Sequence, residues 1–516
     1  MQKTTLAFVA AAFLCGAASA APATQFKESF DGVGHMLIVP YYTVQSGNAT
    51  LLNIVNTDKV NGKAVKVRFR GASNADDVFN FTLFLAPSDV WAAEISQNPA
   101  TGLARLQTAD HSCTLPSLVN LDFNTARINP QADKPNETRE GYIDIITMAD
   151  VVPGTAIFTA TQHVKGRPPA PCSQGIATYP NPDPTRYCIP PAPCGYLPPV
   201  PAARLGLQTE AEIAAAGFGA PTTGLFANWS IFNVAEATSW SGVATAISVV
   251  DAEGKAGQGN VVVKPQTVDV PSGAANDLTA DPLLRSGAAR LVQSDLPDLS
   301  TPYIGQITPA QQAAQLSGVL AKTSVQNEYF TDDAVQAQTD LVFTLPTRRY
   351  SVAMNHANAA REFTQLPLDY FSPVNSRMEG DNASRKVCLT DTDYRFWDRA
   401  EQEYDYERDG FFLGTGHPSW SFVRPRLCGA VFVLSFNAGD EFAPSALAAQ
   451  VSRKDWDVAR SDGWSEVTFP DSGVTGVPVV GAAFSKATST NIGAGVSGNF
   501  GLVWEHRYTR PGDVIP

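Results

Sequence analysis

The stretch Val65-Lys66-Val67-Arg68-Phe69-Arg70 alternates strictly between apolar and cationic side chains. A period of two places the three apolar side chains on one face of an extended chain and the three cations on the other. We therefore expect a half-buried β-strand whose cations face water. Residues 71–76 are rich in turn formers, and the alternation resumes at Phe79-Asn80-Phe81-Thr82-Leu83. The two segments together predict a β-hairpin.

Similar short apolar or alternating segments recur along the whole chain. The further strand candidates are residues 36–42, 51–55, 143–145, 157–161, 229–234, 244–250, 341–345, 350–354, 430–436, 477–484 and 500–506. Residues 430–434 are apolar at every position, which predicts a strand covered on both faces. Helix signals are few, and the clearest are capping boxes that open runs at residues 209–217 and near 309–321. This pattern predicts an all-β fold of two β-sandwich, immunoglobulin-like domains with few short helices.

The order of these segments predicts four parts. Residues 1–20 are a signal peptide, 21–250 an N-terminal β-sandwich domain, 251–340 a connecting segment with the helix near 309–321, and 341–516 a C-terminal β-sandwich domain. Within the N-terminal domain, residues 163–203 form a Pro/Cys-rich insertion, and 12 prolines lie between Pro168 and Pro201. Proline lacks the amide donor that a sheet needs, so we expect an irregular, disulfide-stapled segment. A recognition loop that displays polyproline segments is the alternative.

The first residues have the pattern of an export signal. Lys3 precedes an apolar run at residues 6–14, and Ala18-Ser19-Ala20 offers a cleavage site before Ala21. Export to an oxidising compartment makes disulfides the expected state of an even number of cysteines. Beyond residue 20 the cysteines are Cys113, Cys172, Cys188, Cys194, Cys388 and Cys428. We expect Cys388 to pair with Cys428 because both lie far from the other four, whose pairing stays open.

Composition and motifs exclude several classes of function. The formal net charge of −13 argues against nucleic acid or an anionic membrane as partner. No segment after the signal offers about 18 uninterrupted apolar residues, so no transmembrane helix is expected. The six histidines are scattered singly, no serine has the two flanking glycines of a nucleophile elbow, and no phosphate-binding loop occurs. We therefore expect no catalytic residue, no metal and no cofactor.

The densest cluster of ionisable and aromatic side chains runs from Asp391 to Asp409. Three interpretations stay open: a calcium site built from carboxylates, a carbohydrate cleft with aromatic platforms and an acid and base pair, and a solvated surface segment whose carboxylates pair with neighbouring arginines. The candidate ligand or calcium contacts are Asp391, Asp393, Trp397, Asp398, Tyr404 and Asp405.

Several segments resemble one family. The stretches at residues 36–44 (MLIVPYYTV), 343–350 (FTLPTRRY), 397–401 (WDRAE) and 477–481 (VPVVG) are similar to a family of uncharacterised secreted, cell-surface proteins of Gram-negative bacteria. The resemblance implies an exported location and a β-rich fold. It implies no particular chemistry.

These observations favour a non-enzymatic exported protein of the cell surface or the extracellular space. Its loops or edge strands would contact a second copy, other envelope proteins or glycans. Two alternatives stay open: an exported carbohydrate-active enzyme or carbohydrate-binding protein, and a periplasmic assembly factor.

Overall fold

The computed structural model describes residues 22–115, 118–125, 128–129, 131–163, 214–261, 294–295, 304–305, 309–355, 363–365, 369–380, 385–405, 426–437, 445–457, 462–493 and 496–513. The strands of the first half are β1 (Gln25–Ser29), β2 (Met36–Thr43), β3 (Asn48–Asn56), β4 (Gly62–Gly71), β5 (Asp77–Leu85), β6 (Val90–Gln97), β7 (Ala104–Gln107), β8 (Cys113–Leu115), β9 (Glu140–Val151), β10 (Phe218–Gly219), β11 (Leu225–Asn233), β12 (Thr238–Val243) and β13 (Thr245–Val250).

The strands of the second half are β14 (Ser294–Asp295), β15 (Ala321–Lys322), β16 (Ser324–Phe330), β17 (Gln338–Thr344), β18 (Val352–Asn355), β19 (Phe363–Gln365), β20 (Ser376–Glu379), β21 (Lys386–Leu389), β22 (Asp393–Asp398), β23 (Glu403–Asp405), β24 (Val431–Asn437), β25 (Arg453–Asp457), β26 (Asp462–Thr468), β27 (Val477–Pro478), β28 (Val480–Gly493), β29 (Val496–Glu505) and β30 (Arg507–Thr509). The helices are α1 (Lys134–Glu137), α2 (Ala156–Thr161) and α3 (Pro309–Leu320), and 3-10 turns lie at Gln45–Gly47, Asp333–Val335 and Pro346–Ser351.

Four large sheets carry most of the described strands. Sheet I has the order β1-β13-β2-β9-β4-β5-β8, with β10 added to β9, and sheet II has the order β12-β11-β3-β6-β7. Sheet III is β23-β22-β26-β16-β30, and sheet IV is β25-β24-β17-β28-β29. All these pairs are antiparallel except β24 with β25, and within the described residues none of the sheets closes on itself. The chain is therefore mainly β, as predicted, while two immunoglobulin-like sandwiches stay a prediction.

The core of the first half contains inward side chains of sheets I and II. Phe81 on β5 and Trp91 on β6 are both fully buried, with ring centroids 5.3 Å apart. In the second half, Tyr329 on β16 stacks on Phe436 of β24 at 4.9 Å, and Phe396 of β22 packs edge-on against the same phenylalanine. These contacts tie sheet III to sheet IV.

The central strands of sheet IV, β17 and β24, are buried on both faces. On β17, Leu341 and Phe343 belong to the core shared with sheet III, whereas Val342 between them belongs to the core of the first half. The neighbouring β24 divides in the same way, which confirms the prediction that residues 430–434 are covered on both sides. Phe484 of β28 lies 6.3 Å from Tyr41 on β2. The two halves therefore share one continuous body, with sheet IV as a middle layer.

The prediction that the cations of β4 face water is wrong. Lys66, Arg68 and Arg70 are at most 3% exposed. Arg68 pairs with Asp77 at 2.9 Å and Arg70 with Asp144 at 3.2 Å, because a charge removed from water needs a partner of opposite sign.

The outer face of sheet I is covered by elements far away in the sequence. Leu316 of α3 and Tyr350 of the 3-10 turn line a cavity of about 20 Å³ together with Arg70 and Asp144. That volume holds about one water molecule. Alternation along β4 shows which side chains share a face of the strand. It does not show whether a face is buried, because that depends on the elements that pack on it in the tertiary fold.

The predicted strand at residues 157–161 is also wrong, because Ala156–Thr161 forms helix α2. The hydroxyl of Thr155 accepts a hydrogen bond from the backbone N–H of Phe158 and caps the first turn. Ile157 is the apolar anchor of this short helix and is 1% exposed. A short capped helix can therefore form where the β-propensity of five residues favours a strand.

The segment assigned to the connection between the halves contains both the expected helix and sheet strands. Helix α3 covers Pro309–Leu320, and β16 pairs with β26 and β30 inside sheet III. The predicted signal peptide and nearly all of the 163–203 insertion lie outside the described residues.

Candidate binding surface on sheet III

The predicted cluster at residues 391–409 begins with a β-hairpin at the edge of sheet III. Strands β22 and β23 pair in register, with Arg395 opposite Asp405 and Trp397 opposite Glu403. The turn is closed by Asp398, whose Oδ1 accepts hydrogen bonds from the backbone N–H groups of Ala400 and Gln402, both at 2.9 Å. Asp398 thus has the local role that aspartate often takes in turns.

Alternation along β22 separates core from surface. Tyr394 and Phe396 are 4% and 1% exposed and point into the core shared with sheet IV. Burial raises the pKa of the Tyr394 hydroxyl. Arg395 and Trp397 fall on the opposite face, which is the outer face of sheet III.

Two tryptophans stack on that outer face. Trp397 on β22 lies directly opposite Trp464 on β26, with ring centroids 3.9 Å apart and an interplanar angle of 9°. Trp464 is 39% exposed and Trp397 is half-buried. Directly opposed residues of neighbouring strands share a face, so the register itself brings the two rings together.

Charged and amide side chains surround this pair. Arg395 Nε donates to Glu403 Oε1 at 2.7 Å, and its guanidinium lies 5.2 Å from the Trp397 ring. Gln326 on β16 donates from Nε2 to Glu466 Oε1 on β26 at 2.7 Å. We call this set the Trp397–Trp464 surface, and its members are Gln326, Glu328, Arg395, Trp397, Glu403, Trp464 and Glu466.

Trp464 and Glu466 were not among the predicted site residues. Residues 463–467 (GWSEV) carry the same alternation as β4: Ser465 and Val467 are fully buried and Trp464 points outward. The period of two could therefore have shown that Trp464 points outward. The sequence could not show that Trp464 contacts Trp397, because these residues lie 67 positions apart.

The other predicted candidates lie in the turn before β22 and along the hairpin. Asp391 is exposed in the turn before β22 and has a positive φ of 58°, and Asp393 is half-buried at the start of that strand. Tyr404 and Asp405 lie in β23, opposite Phe396 and Arg395. Residues 406–409 lie outside the described part of the chain.

A possible metal group lies elsewhere. Among the described residues, the one set of three potential metal ligands with closely spaced donor atoms is Glu379, Cys388 and Cys428. The two sulfurs are bonded to each other at 2.03 Å, which confirms the predicted pair. Glu379 also pairs with Arg377 and Arg426. Cys113 is buried, and the predicted Cys172, Cys188 and Cys194 lie outside the described residues.

Comparisons with known proteins supply no further constraint. No family model, curated protein or solved structure matches this chain. Within the described residues, every helix is too short or too polar to cross a membrane.

Proposed function

We propose that this chain is a non-enzymatic, exported protein of the cell surface or extracellular space that works by contact. The observation that carries the proposal is the Trp397–Trp464 surface, a stacked aromatic pair on a regular sheet in which Trp464 is exposed and Trp397 half-buried. A sheet packed on a buried core holds its outward side chains in fixed positions, which favours binding because little side-chain freedom is lost on association.

The arrangement of carboxylates supports binding rather than glycoside hydrolysis. A glycosidase needs two carboxyl groups on opposite sides of the scissile bond, roughly 5 to 9.5 Å apart. On this surface Glu403 pairs with Arg395, Glu466 accepts from Gln326, and Asp398 closes a turn. We therefore propose that this surface binds a partner without catalysing a reaction, and we prefer this to the alternative of a carbohydrate-active enzyme.

Location is part of the proposal and rests on the sequence of residues 1–20 and on the family resemblance. Within that location we propose that sheets I and II form one sandwich and sheets III and IV a second. The test is protease digestion of the tagged protein on intact cells and on cells with a permeabilised outer membrane. Digestion on intact cells supports a surface role. Protection until permeabilisation contradicts it and favours the alternative of a periplasmic assembly factor.

Edge strands offer a second mode of contact. Within the described residues β23 ends sheet III and has one side without a neighbouring strand in its sheet. Such edges support strand addition by another chain or a second copy. Light scattering at increasing protein concentration tests self-association, and a monomer throughout the range contradicts it.

A further inference from the structure

The strongest unassigned feature of the described molecule is the stacked tryptophan pair. Each indole covers one face of the other, so the pair forms a rigid slab standing on β22 and β26. Cross-strand aromatic pairs contribute to sheet stability. Stability alone does not require Trp464 to remain 39% exposed on an otherwise polar face.

The exposed aromatic area limits the size of the partner. A tryptophan side chain offers roughly 250 Å² in all, so the exposed part of Trp464 is on the order of 100 Å². A stable protein interface needs about 800 Å² from each partner. An area of this size matches one or two sugar rings, whose C–H faces pack on indole and whose hydroxyls need polar partners.

Those polar partners lie next to the slab. In the row of residues beside the tryptophans, Arg395, Glu466 and Gln326 stand opposite one another on β22, β26 and β16. Their planar groups are already fixed by the pairs Arg395 with Glu403 and Gln326 with Glu466. A carboxylate accepts from a hydroxyl while an amide or guanidinium donates to one, so this row offers both kinds of hydrogen bond to a sugar.

The charge balance selects among sugars. The carboxylates Glu403, Glu466 and Glu328 lie on this face of sheet III together with two cations, Arg395 and the exposed Arg507, which stands opposite Gln326 on β30. Carboxylates therefore outnumber cations here, and the whole chain has a formal net charge of −13. A polyanion such as a uronate polymer would meet a surface of its own sign. Neutral sugars avoid that repulsion and retain the hydrogen bonds.

We propose that the Trp397–Trp464 surface is a binding site for a neutral glycan. A pyranose ring packs on the exposed part of Trp464, and its hydroxyls bond with Glu466, Gln326 and the Arg395–Glu403 pair. This inference rests on the proposed function, because it names the partner class of that contact surface.

The test is calorimetric titration of the purified full chain with neutral hexasaccharides of β-glucan, mannan, galactan and chitin, and with oligogalacturonate as the anionic probe. We expect at least one neutral probe to bind with a Kd between about 10 μM and 1 mM and oligogalacturonate not to bind. Trp464→Ala should weaken binding by about tenfold or more, as removal of an aromatic anchor does. Trp504 on β29 is 46% exposed on sheet IV, so Trp504→Ala is the matched control and should leave the Kd unchanged.

A second variant separates binding from folding. Trp464→Phe keeps an aromatic ring in the stack and should retain more affinity than Trp464→Ala, with an unchanged melting curve. Failure of every neutral probe, binding of oligogalacturonate alone, or equal weakening by Trp464→Ala and Trp504→Ala would overturn the glycan site. Cleavage of a bound probe would instead overturn the non-enzymatic function and leave the site standing.

Discussion

One buried carboxylate, that of Glu140, connects the two halves of the chain through hydrogen bonds. Glu140 on β9 is 1% exposed and accepts hydrogen bonds from Tyr41 Oη at 3.1 Å and Gln45 Nε2 at 2.8 Å in the first half. In the second half it accepts from the backbone N–H groups of Gln450 at 2.7 Å and Val451 at 3.2 Å. Burial raises the pKa of this carboxyl. The four donors therefore stabilise the buried carboxyl group of Glu140.

Substitution of Glu140 measures that dependence. Glu140→Ala removes the acceptor that these four donors share and should lower the free energy of unfolding by about 3 kcal/mol. Glu140→Gln keeps one carbonyl oxygen and removes the buried charge, so its loss should be less than half as large. Urea titration followed by tryptophan fluorescence gives both values, with the exposed Glu253→Ala as control. Equal losses for the two Glu140 variants would contradict this account.

A second residue makes stability depend on pH. His35 is fully buried, its Nδ1 accepts from the N–H of Val249 at 3.2 Å, and its Nε2 lies 3.1 Å from the carbonyl oxygen of Gly257. Burial, with a further contribution from the charge of Lys63, lowers the pKa of this imidazole to about 3. The unfolded chain takes up a proton below about pH 6.5 whereas the folded chain does not, so stability falls as the pH drops from 6.5 towards 3.

The size of this effect follows from the shift. At pH 5 the histidine should cost about 2 kcal/mol of unfolding free energy relative to pH 7. His35→Gln removes the titrating group, so its own loss between pH 7 and pH 5 should be smaller than that of the wild type by this amount. Urea unfolding at both pH values measures the difference, and His111→Gln at an exposed position is the control. An identical loss in wild type and His35→Gln would disprove the assignment.

At the scale of elements, the Cys388–Cys428 disulfide closes the segment that carries the β22–β23 hairpin. It joins β21 to the residues just before β24, across a sequence separation of 40. In the chain-entropy account a loop of this length stabilises the folded state by about 4 kcal/mol. The double variant Cys388→Ala with Cys428→Ala should lose about 2 to 4 kcal/mol. Thermal unfolding checks this, and an unchanged Tm would refute it.

The double variant is more selective than a reducing agent. A reductant acts on every disulfide of the chain, whereas the variant acts on this one. Any loss of neutral-glycan affinity in the variant would show how far the position of Trp397 depends on the closed loop.

Elements also show how far sequence reasoning reaches. Period-two alternation located β4 and β5 because side-chain direction along a strand is a local property, and continuous apolar residues located β24. The same alternation left open what covers each face, so the burial of Lys66, Arg68 and Arg70 was missed. Trp397 was among the candidates because its neighbours are charged and aromatic. Its partner Trp464 depends on strand register, which a single sequence does not specify.

At the scale of the whole molecule, the central position of sheet IV predicts cooperative unfolding. Phe484 of β28 is fully buried and its ring lies 5.7 Å from that of Trp229 in sheet II. Phe436 of β24 is equally buried, but it packs on Tyr329 in sheet III. If sheet IV couples the two cores, unfolding of either half exposes buried side chains of the other half to water.

Calorimetry with these two phenylalanines tests that coupling. We expect the wild type to unfold in one transition that coincides by heat capacity and near-ultraviolet circular dichroism. Phe484→Ala and Phe436→Ala should each remove about 3 to 5 kcal/mol and move that single transition to lower temperature. Two separately folding domains would give two transitions, with Phe436→Ala lowering one and leaving the other in place. That outcome would mean that the two halves pack together through sheet IV but unfold independently.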